Sequence, residues 1–112
     1  MEVLFVELPP FERHRAKYLT DDEFREFQQM LLKNPVCGDV IQHTGGLRKV
    51  RFGDVRRNKG KCGGIRVIYY WYLEKSYFLL FTLYNKDQKN DLTKAQRDIL
   101  REMLEQARRR GR

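Results

Sequence analysis

The chain has 112 residues, and its 23 lysines and arginines outnumber its 15 aspartates and glutamates, which gives a formal net charge of +8. This length predicts one compact domain over residues 1–112, and the 41% hydrophobic and 12% aromatic content excludes a disordered chain. No run approaches the roughly 20 apolar residues that cross a bilayer, and the acidic start at Glu2 lacks the basic flank of a secretory signal. We therefore expect a cytoplasmic protein with no membrane partner.

The positive charge is concentrated in one stretch of the chain. Residues 1–47 hold five basic and eight acidic side chains, whereas residues 48–66 hold eight basic side chains against Asp54 alone, a net charge of +7. A dense basic block creates a local positive potential that attracts polyanions. Nucleic acid is the first partner this predicts, and the alternative is a basic loop that only keeps the protein soluble.

The two cysteines, Cys37 and Cys62, form neither a C-x-x-C pair nor part of a metal-ligand cluster. They are expected to be free thiols in a reducing compartment. We predict neither a metal site nor a cofactor.

The β-branched and aromatic residues at 2–6 predict a first strand. Pro9 and Pro10 cannot continue this strand, and they are tolerated in the first turn of a helix, so a first helix is predicted to begin there. Thr20 and Glu23 match a capping box, so a second helix follows and ends at Asn34 before a proline. Residues 36–46 are predicted to form a loop.

Three further strands are predicted at 47–52, 65–73 and 77–84, with a Gly-, Lys- and Arg-rich connection over 53–64. Thr93 and Gln96 resemble another capping box, and the last helix carries an apolar stripe of Ile99, Leu100, Met103, Leu104 and Ala107. The expected architecture is β-α-α-β-β-β-α, an α+β domain with an antiparallel sheet of about four strands and helices mainly on one face.

Strand alternation predicts which side chains share a face of the sheet. Ile65, Val67, Tyr69 and Trp71 should point to one side, and Arg66, Ile68, Tyr70 and Tyr72 to the other. One face is expected to pack under helices, and the other to keep Arg66 and some tyrosine edges accessible.

Three sequence blocks carry a resemblance to a known family. They are residues 45–51 (GGLRKVR), residues 63–70 (GGIRVIYY) and residues 83–86 (LYNK) followed by Asp91 and Leu92. With the order of the elements, they resemble HigB-like toxins of the RelE/ParE superfamily of type II toxin–antitoxin systems. The resemblance extends from about Val3 to Leu104.

The resemblance implies a RelE-like fold and a ribosome-dependent, metal-independent endoribonuclease, an mRNA interferase that cuts mRNA in the ribosomal A site. It also implies a HigA-like antitoxin with a helix-turn-helix region, through which alone operator DNA would be contacted. By position, the catalytic candidates are Lys49, Arg51, Arg66, Tyr84 and Lys86. Asp87 and Thr93 depart from residues that some members of the family carry.

Further RNA-binding candidates come from the basic block and the aromatic strands. They are Arg48, Arg56, Arg57, Lys59, Lys61, Tyr70 and Lys89. Tyrosines could stack on unpaired bases, although core packing is the commoner fate of aromatic residues at strand spacing. His43 could lie near the substrate, whereas His14 is expected to be structural or exposed.

Metal-free RNA cleavage needs a base for the 2′-OH, an acid for the leaving 5′-oxygen and positive charge on the phosphate oxygens. Arg66 suits the third role because its guanidinium offers two donors from a fixed position. Lys49 is a candidate base if neighbouring cations disfavour its charged form, and electrostatic stabilisation is an equal alternative. Two other functions remain open: a non-catalytic nucleic-acid-binding protein and a ParE-like DNA gyrase poison.

Overall fold

A five-stranded sheet with three helices organises the part of the chain described by the structure, a computed structural model that covers residues 2–53, 64–85 and 92–110. In chain order the elements are β1 (Leu4–Glu7), α1 (Pro9–Tyr18), α2 (Asp21–Lys33), β2 (Asp39–Val40), β3 (Arg48–Phe52), β4 (Ile65–Tyr72), β5 (Tyr77–Asn85) and α3 (Lys94–Arg110). The strand order across the sheet is β1-β5-β4-β3-β2. The expected α+β fold class is confirmed.

The sheet differs from the expected one in two details. A two-residue strand, β2, lies within the predicted loop and pairs antiparallel with β3, which raises the strand count to five. The other difference is the direction of β1, because the expected sheet is antiparallel, whereas β1 pairs with β5 in parallel and the remaining neighbours are antiparallel. Two helices follow β1 instead of a hairpin, so no local turn dictates its direction.

The predicted capping boxes form at both helix starts. The Glu23 amide donates to Thr20 Oγ1 at 3.1 Å, and the Thr20 amide donates back to Glu23 Oε1 at 2.8 Å. At α3 the Gln96 amide donates to Thr93 Oγ1, and the Thr93 amide donates to Gln96 Oε1. These reciprocal bonds satisfy amides that the first helical turn leaves without partners.

Each face of the sheet carries its own apolar core. Phe11 of α1 and Leu31 of α2 pack with Tyr69 on one face, whereas Leu104 of α3 packs with Ile68 on the other. Two of the three helices therefore share a face, and α3 lies across the face that bears Arg66. The alternation predicted for β4 is observed in these two clusters.

One residue of the predicted α3 stripe faces solvent. Ile99 is 59% exposed, whereas the neighbouring Leu100 is buried. Because each helical residue turns by about 100°, Ile99 falls outside the stripe that Leu100 and Leu104 define. The prediction that Ile99 faces the core is wrong.

An irregularity in the β4–β5 pairing determines which β5 residues face α3. Ile68 pairs with Thr82 and Tyr69 with Leu80, so Phe81 is an extra residue on β5. Such a bulge shifts the alternation by one position. As a result, both Phe81 and Tyr84 pack on the α3 side.

None of the helices described over 2–53, 64–85 and 92–110 is long and apolar enough to cross a membrane. Cys37 is a half-buried free thiol, and Cys62 lies outside the described residues.

Candidate nucleic-acid interface

Three predicted catalytic residues form a line across three adjacent strands. Arg51 of β3 lies directly opposite Arg66 of β4, which lies directly opposite Tyr84 of β5. Directly opposed residues place their Cβ atoms about 5 Å apart on the same face of a sheet. The structure thus brings together residues separated by more than thirty positions in sequence.

Lys49 lies two residues before Arg51 on β3 and therefore on the same face of the sheet. Its cross-strand partners are Ile68 on β4 and Asp39 on β2, and Arg66 is its diagonal neighbour at about 7–8 Å between backbones. We call Lys49, Arg51 and Arg66 the cationic cluster. Like charges opposed across strands disfavour the folded state, so a phosphate between them would relieve their repulsion.

The burial of these residues separates accessible groups from packed ones. Arg51 is exposed, and Lys49 and Arg66 are half-buried. Tyr84 is 7% exposed, and it packs against Leu92 and Leu100 beneath α3 with its hydroxyl oxygen also buried. Tyr84 therefore supports the cluster from the core side in this conformation.

Arg48 points to the opposite face of the sheet from the cationic cluster. Its Nη1 donates to the carbonyl oxygens of Gly38 at 2.7 Å and Val36 at 3.3 Å. These bonds hold the segment between α2 and β2 against β3. Although sequence proximity placed Arg48 with the RNA-binding candidates, strand alternation separates it from Lys49.

A buried tyrosine completes the attachment of that segment. The Tyr69 hydroxyl donates to the Pro35 carbonyl oxygen at 2.8 Å and accepts from the Gly38 amide at 3.0 Å. Burial raises the pKa of the Tyr69 phenol to about 12. A Cβ on Gly38 would lie 2.9 Å from the Tyr69 ring, so the glycine is needed for this close approach.

Tyr70 is half-buried on the α3 face, about 13 Å along β4 from Arg66. The Arg108 guanidinium lies 5.9 Å from its ring centroid, and a Cβ on Gly46 would lie 3.2 Å from the ring. The ring is therefore held between α3 and the loop before β3. This packing is the structural alternative to base stacking.

Lys86 and the RNA-binding candidates Arg56, Arg57, Lys59, Lys61 and Lys89 lie outside the described residues, as does Asp87.

Sequence reasoning did not select three basic residues on α3. Lys94, Arg97 and Arg101 line a groove with His43 and Asp98. Their spacing of three and four residues places them on one flank of a helix, a signal that was available in the sequence. Residues 67–100, which include Lys94 and Arg97, have a net charge of only +1, so the charge of that segment does not reveal the basic flank.

Comparison with known proteins identifies the class of fold. The chain matches no protein-family model. Its fold is that of the RelE toxin, an α+β domain, at sequence identities that establish the fold alone.

Several solved chains share this likeness, including the following two. One is a double arginine-to-alanine variant of the E. coli toxin RelE in the free state, with a TM-score of 0.54, 12% identity, and coverage of 80% of this chain and 90% of that one. The other is the intact E. coli RelBE toxin–antitoxin complex, with a TM-score of 0.53, 12% identity, and coverage of 73% and 94%.

Proposed function

We propose that this protein is the toxin of a type II toxin–antitoxin pair and that it cleaves translated mRNA on the ribosome. The observation that carries the proposal is the cationic cluster, in which Arg51 and Arg66 oppose each other and Lys49 lies beside them on a RelE-like sheet. The HigB-like motifs around these residues support the same function. The RelBE neighbour supports an antitoxin as the partner of this chain.

The cluster suits a reaction in which charge develops on phosphate. When a 2′-oxygen bonds to phosphorus and the bond to the 5′-oxygen breaks, negative charge increases on the non-bridging oxygens. Arg51 and Arg66 would bind those oxygens, and Lys49 would add positive charge beside them. Tyr84 acts in this proposal as a positioning residue, because it packs beneath α3 next to Arg66.

Lys86 belongs to the proposal on sequence grounds, since it directly follows β5. The HigA-like identity of the antitoxin likewise rests on the sequence motifs.

The test is a translation reaction with a defined mRNA and purified protein, with cut sites mapped by primer extension. Cleavage is expected with ribosomes and not without them. Arg66→Ala should lower the cleavage rate by about 100-fold or more, as loss of a transition-state donor does. Arg13→Ala is the matched control, because Arg13 is an exposed arginine on α1, outside the cluster.

Folding of each variant is checked by circular dichroism. Intact mRNA with and without ribosomes would refute the enzymatic proposal, and inhibition of DNA gyrase in the same preparation would favour the ParE-like alternative. A folded Arg66→Ala protein that cleaves at the wild-type rate would remove Arg66 from the site.

The role of Lys49 has its own test in the same assay. Arginine is permanently charged, so Lys49→Arg keeps the positive charge but cannot act as a base. Because we assign Lys49 an electrostatic role, Lys49→Arg should retain most of the cleavage rate, and Lys49→Met should lose it. Equal loss in both variants would instead support Lys49 as the base.

A further inference from the structure

A groove separate from the cationic cluster lies between α3 and the loop that precedes β3. It encloses about 420 Å³ and is lined by His43, Lys94, Arg97, Asp98 and Arg101. We call it the α3 groove. No residue of the cationic cluster lines it, so its chemistry must be considered separately.

The loop side of the groove is fixed by hydrogen bonds. Thr44 is fully buried, and its hydroxyl donates to the Ile41 carbonyl oxygen at 2.6 Å while accepting from the Leu47 amide at 3.2 Å. His43 has a φ of 67°, a conformation uncommon outside glycine. Arg101 Nη1 donates to the His43 carbonyl oxygen at 3.4 Å, which joins loop and helix across the groove.

The helix side carries more positive than negative charge. Lys94 Nζ lies 3.3 Å from Asp98 Oδ2, and Arg101 Nη2 lies 3.7 Å from Asp98 Oδ1. Arg97 Nη1 donates to the Leu92 carbonyl oxygen at 3.0 Å. The groove therefore holds three cations and one carboxylate, and the carboxylate contacts two of the cations, so the lining keeps a net charge of +2.

The cationic groups are accessible to a ligand. The side chain of Lys94 is 83% exposed, and that of Arg101 is 46% exposed. Two guanidinium groups and one ammonium converging on a concave surface are suited to an anion with several acceptor oxygens, and phosphate has this geometry. Concave cationic surfaces also concentrate polyanions near them.

The position of the groove indicates the source of the phosphate. Leu100 of α3 packs in the same apolar cluster as Ile68 and Tyr84, so α3 lies on the sheet face that bears Arg66. A polyanion crossing that face would therefore meet the cationic cluster and α3 together.

We infer that the α3 groove is a second phosphate site, which binds a backbone phosphate of an RNA strand lying on the Arg66 face of the sheet. The identity of the polyanion as RNA rests on the proposed function. Phosphate binding itself rests on the groove. Asp98 then competes with the phosphate, because Lys94 and Arg101 must leave their ion pairs with Asp98 to bind it.

This competition predicts that substitutions at neighbouring residues change the RNA affinity in opposite directions. The measurement is fluorescence anisotropy of a labelled single-stranded RNA of about ten nucleotides, without ribosomes, at several salt concentrations. Lys94→Gln/Arg101→Gln should weaken binding by about tenfold and reduce the salt slope by about 0.7, the value for one lost phosphate contact on a single strand. Asp98→Asn should tighten binding by several-fold, because it frees both cations.

The matched control is Arg109→Gln/Arg110→Gln, which removes the same charge from the exposed last turn of α3. It should change the affinity by less than about twofold. Equal weakening in both double variants would overturn the proposal, because the effect would then come from net charge alone. Unchanged or weaker binding by Asp98→Asn would overturn it as well.

Inorganic phosphate separates the two sources of the ligand. Amide NMR signals of His43, Thr44 and Arg101 should shift when isotope-labelled protein is titrated with phosphate. The RNA should cause the same shifts at lower concentrations than phosphate does. Shifts with phosphate but not with RNA would overturn the RNA assignment. None of these measurements uses cleavage, so a failure of the ribonuclease proposal would appear only in the translation assay.

Discussion

The attachment of residues 35–38 to the sheet through Tyr69 gives a stability prediction with a defined pH dependence. Tyr69→Phe removes only the hydroxyl, which donates to Pro35 and accepts from the buried amide of Gly38. A buried amide left without a partner costs about 1–3 kcal/mol. We therefore expect the free energy of unfolding to fall by about 2 kcal/mol at pH 7.5, and the melting temperature by roughly 10 °C.

The difference between the two proteins should shrink in alkali. The phenol has an ordinary pKa of 10.0, as in an unfolded chain, and burial raises the pKa of Tyr69 to about 12. Between pH 10 and 12 the unfolded chain holds fewer protons at this group, so wild-type stability falls as the pH rises. By pH 11 this loss is on the order of 1 kcal/mol, and Tyr69→Phe does not incur it.

The assay is urea unfolding followed by circular dichroism at pH 7.5, 9 and 11 for both proteins. Tyr77→Phe serves as the control, because Tyr77 is a half-buried tyrosine at the start of β5 without the Tyr69 contacts. Amide hydrogen exchange should also show faster exchange at Gly38 in Tyr69→Phe. A stability difference that stays constant from pH 7.5 to 11 would refute the reasoning.

Two local predictions concern the ends of α1 and α2. Thr20→Ala removes the acceptor of the Glu23 amide and should lower the free energy of unfolding, measured by urea unfolding, by about 1 kcal/mol. Thr20→Ser keeps an acceptor hydroxyl and should have nearly the wild-type stability. Equal stability of all three proteins would contradict the capping box. Arg15→Ala should raise the pKa of Asp21, which the guanidinium at 2.8 Å holds below its ordinary value, and an NMR pH titration of that carboxyl reads the change. The wild-type ion pair stabilises the fold above the ordinary pKa of Asp21 and loses this effect as the pH falls, so identical titration curves in the two proteins would show that it does not form in solution.

The sequence predicted the candidate site in part. Strand alternation places Lys49 and Arg51 on one face of β3, and the structure shows Arg66 facing the same side. Arg48 was grouped with them by proximity, yet its donors are bound to carbonyl oxygens on the opposite face. Adjacency in a strand does not mean adjacency in space, because successive side chains point to opposite sides.

Burial of the aromatic candidates could not be decided before the helices were placed. Tyr84 and Tyr70 occupy positions that the alternation alone leaves open to solvent or to packing. The position of α3 buries Tyr84, and Arg108 covers part of the Tyr70 ring. The α3 groove was not predicted either, because it forms where residues 43 and 101 meet across 58 positions of sequence.

The sequence by itself determined the three helices, four of the five described strands and the concentration of charge. Capping residues, prolines and apolar periodicity act over three or four positions, so Thr20, Pro35 and the alternation in β4 could be interpreted locally. The tertiary structure alone decided the parallel pairing of β1, the bulge at Phe81 and the coverage of both faces of the sheet. These features depend on contacts between segments that are distant in sequence, and a local sequence pattern does not reveal the energies of such contacts. The tertiary structure thereby gathers part of the net charge of +8 into the cationic cluster and the α3 groove.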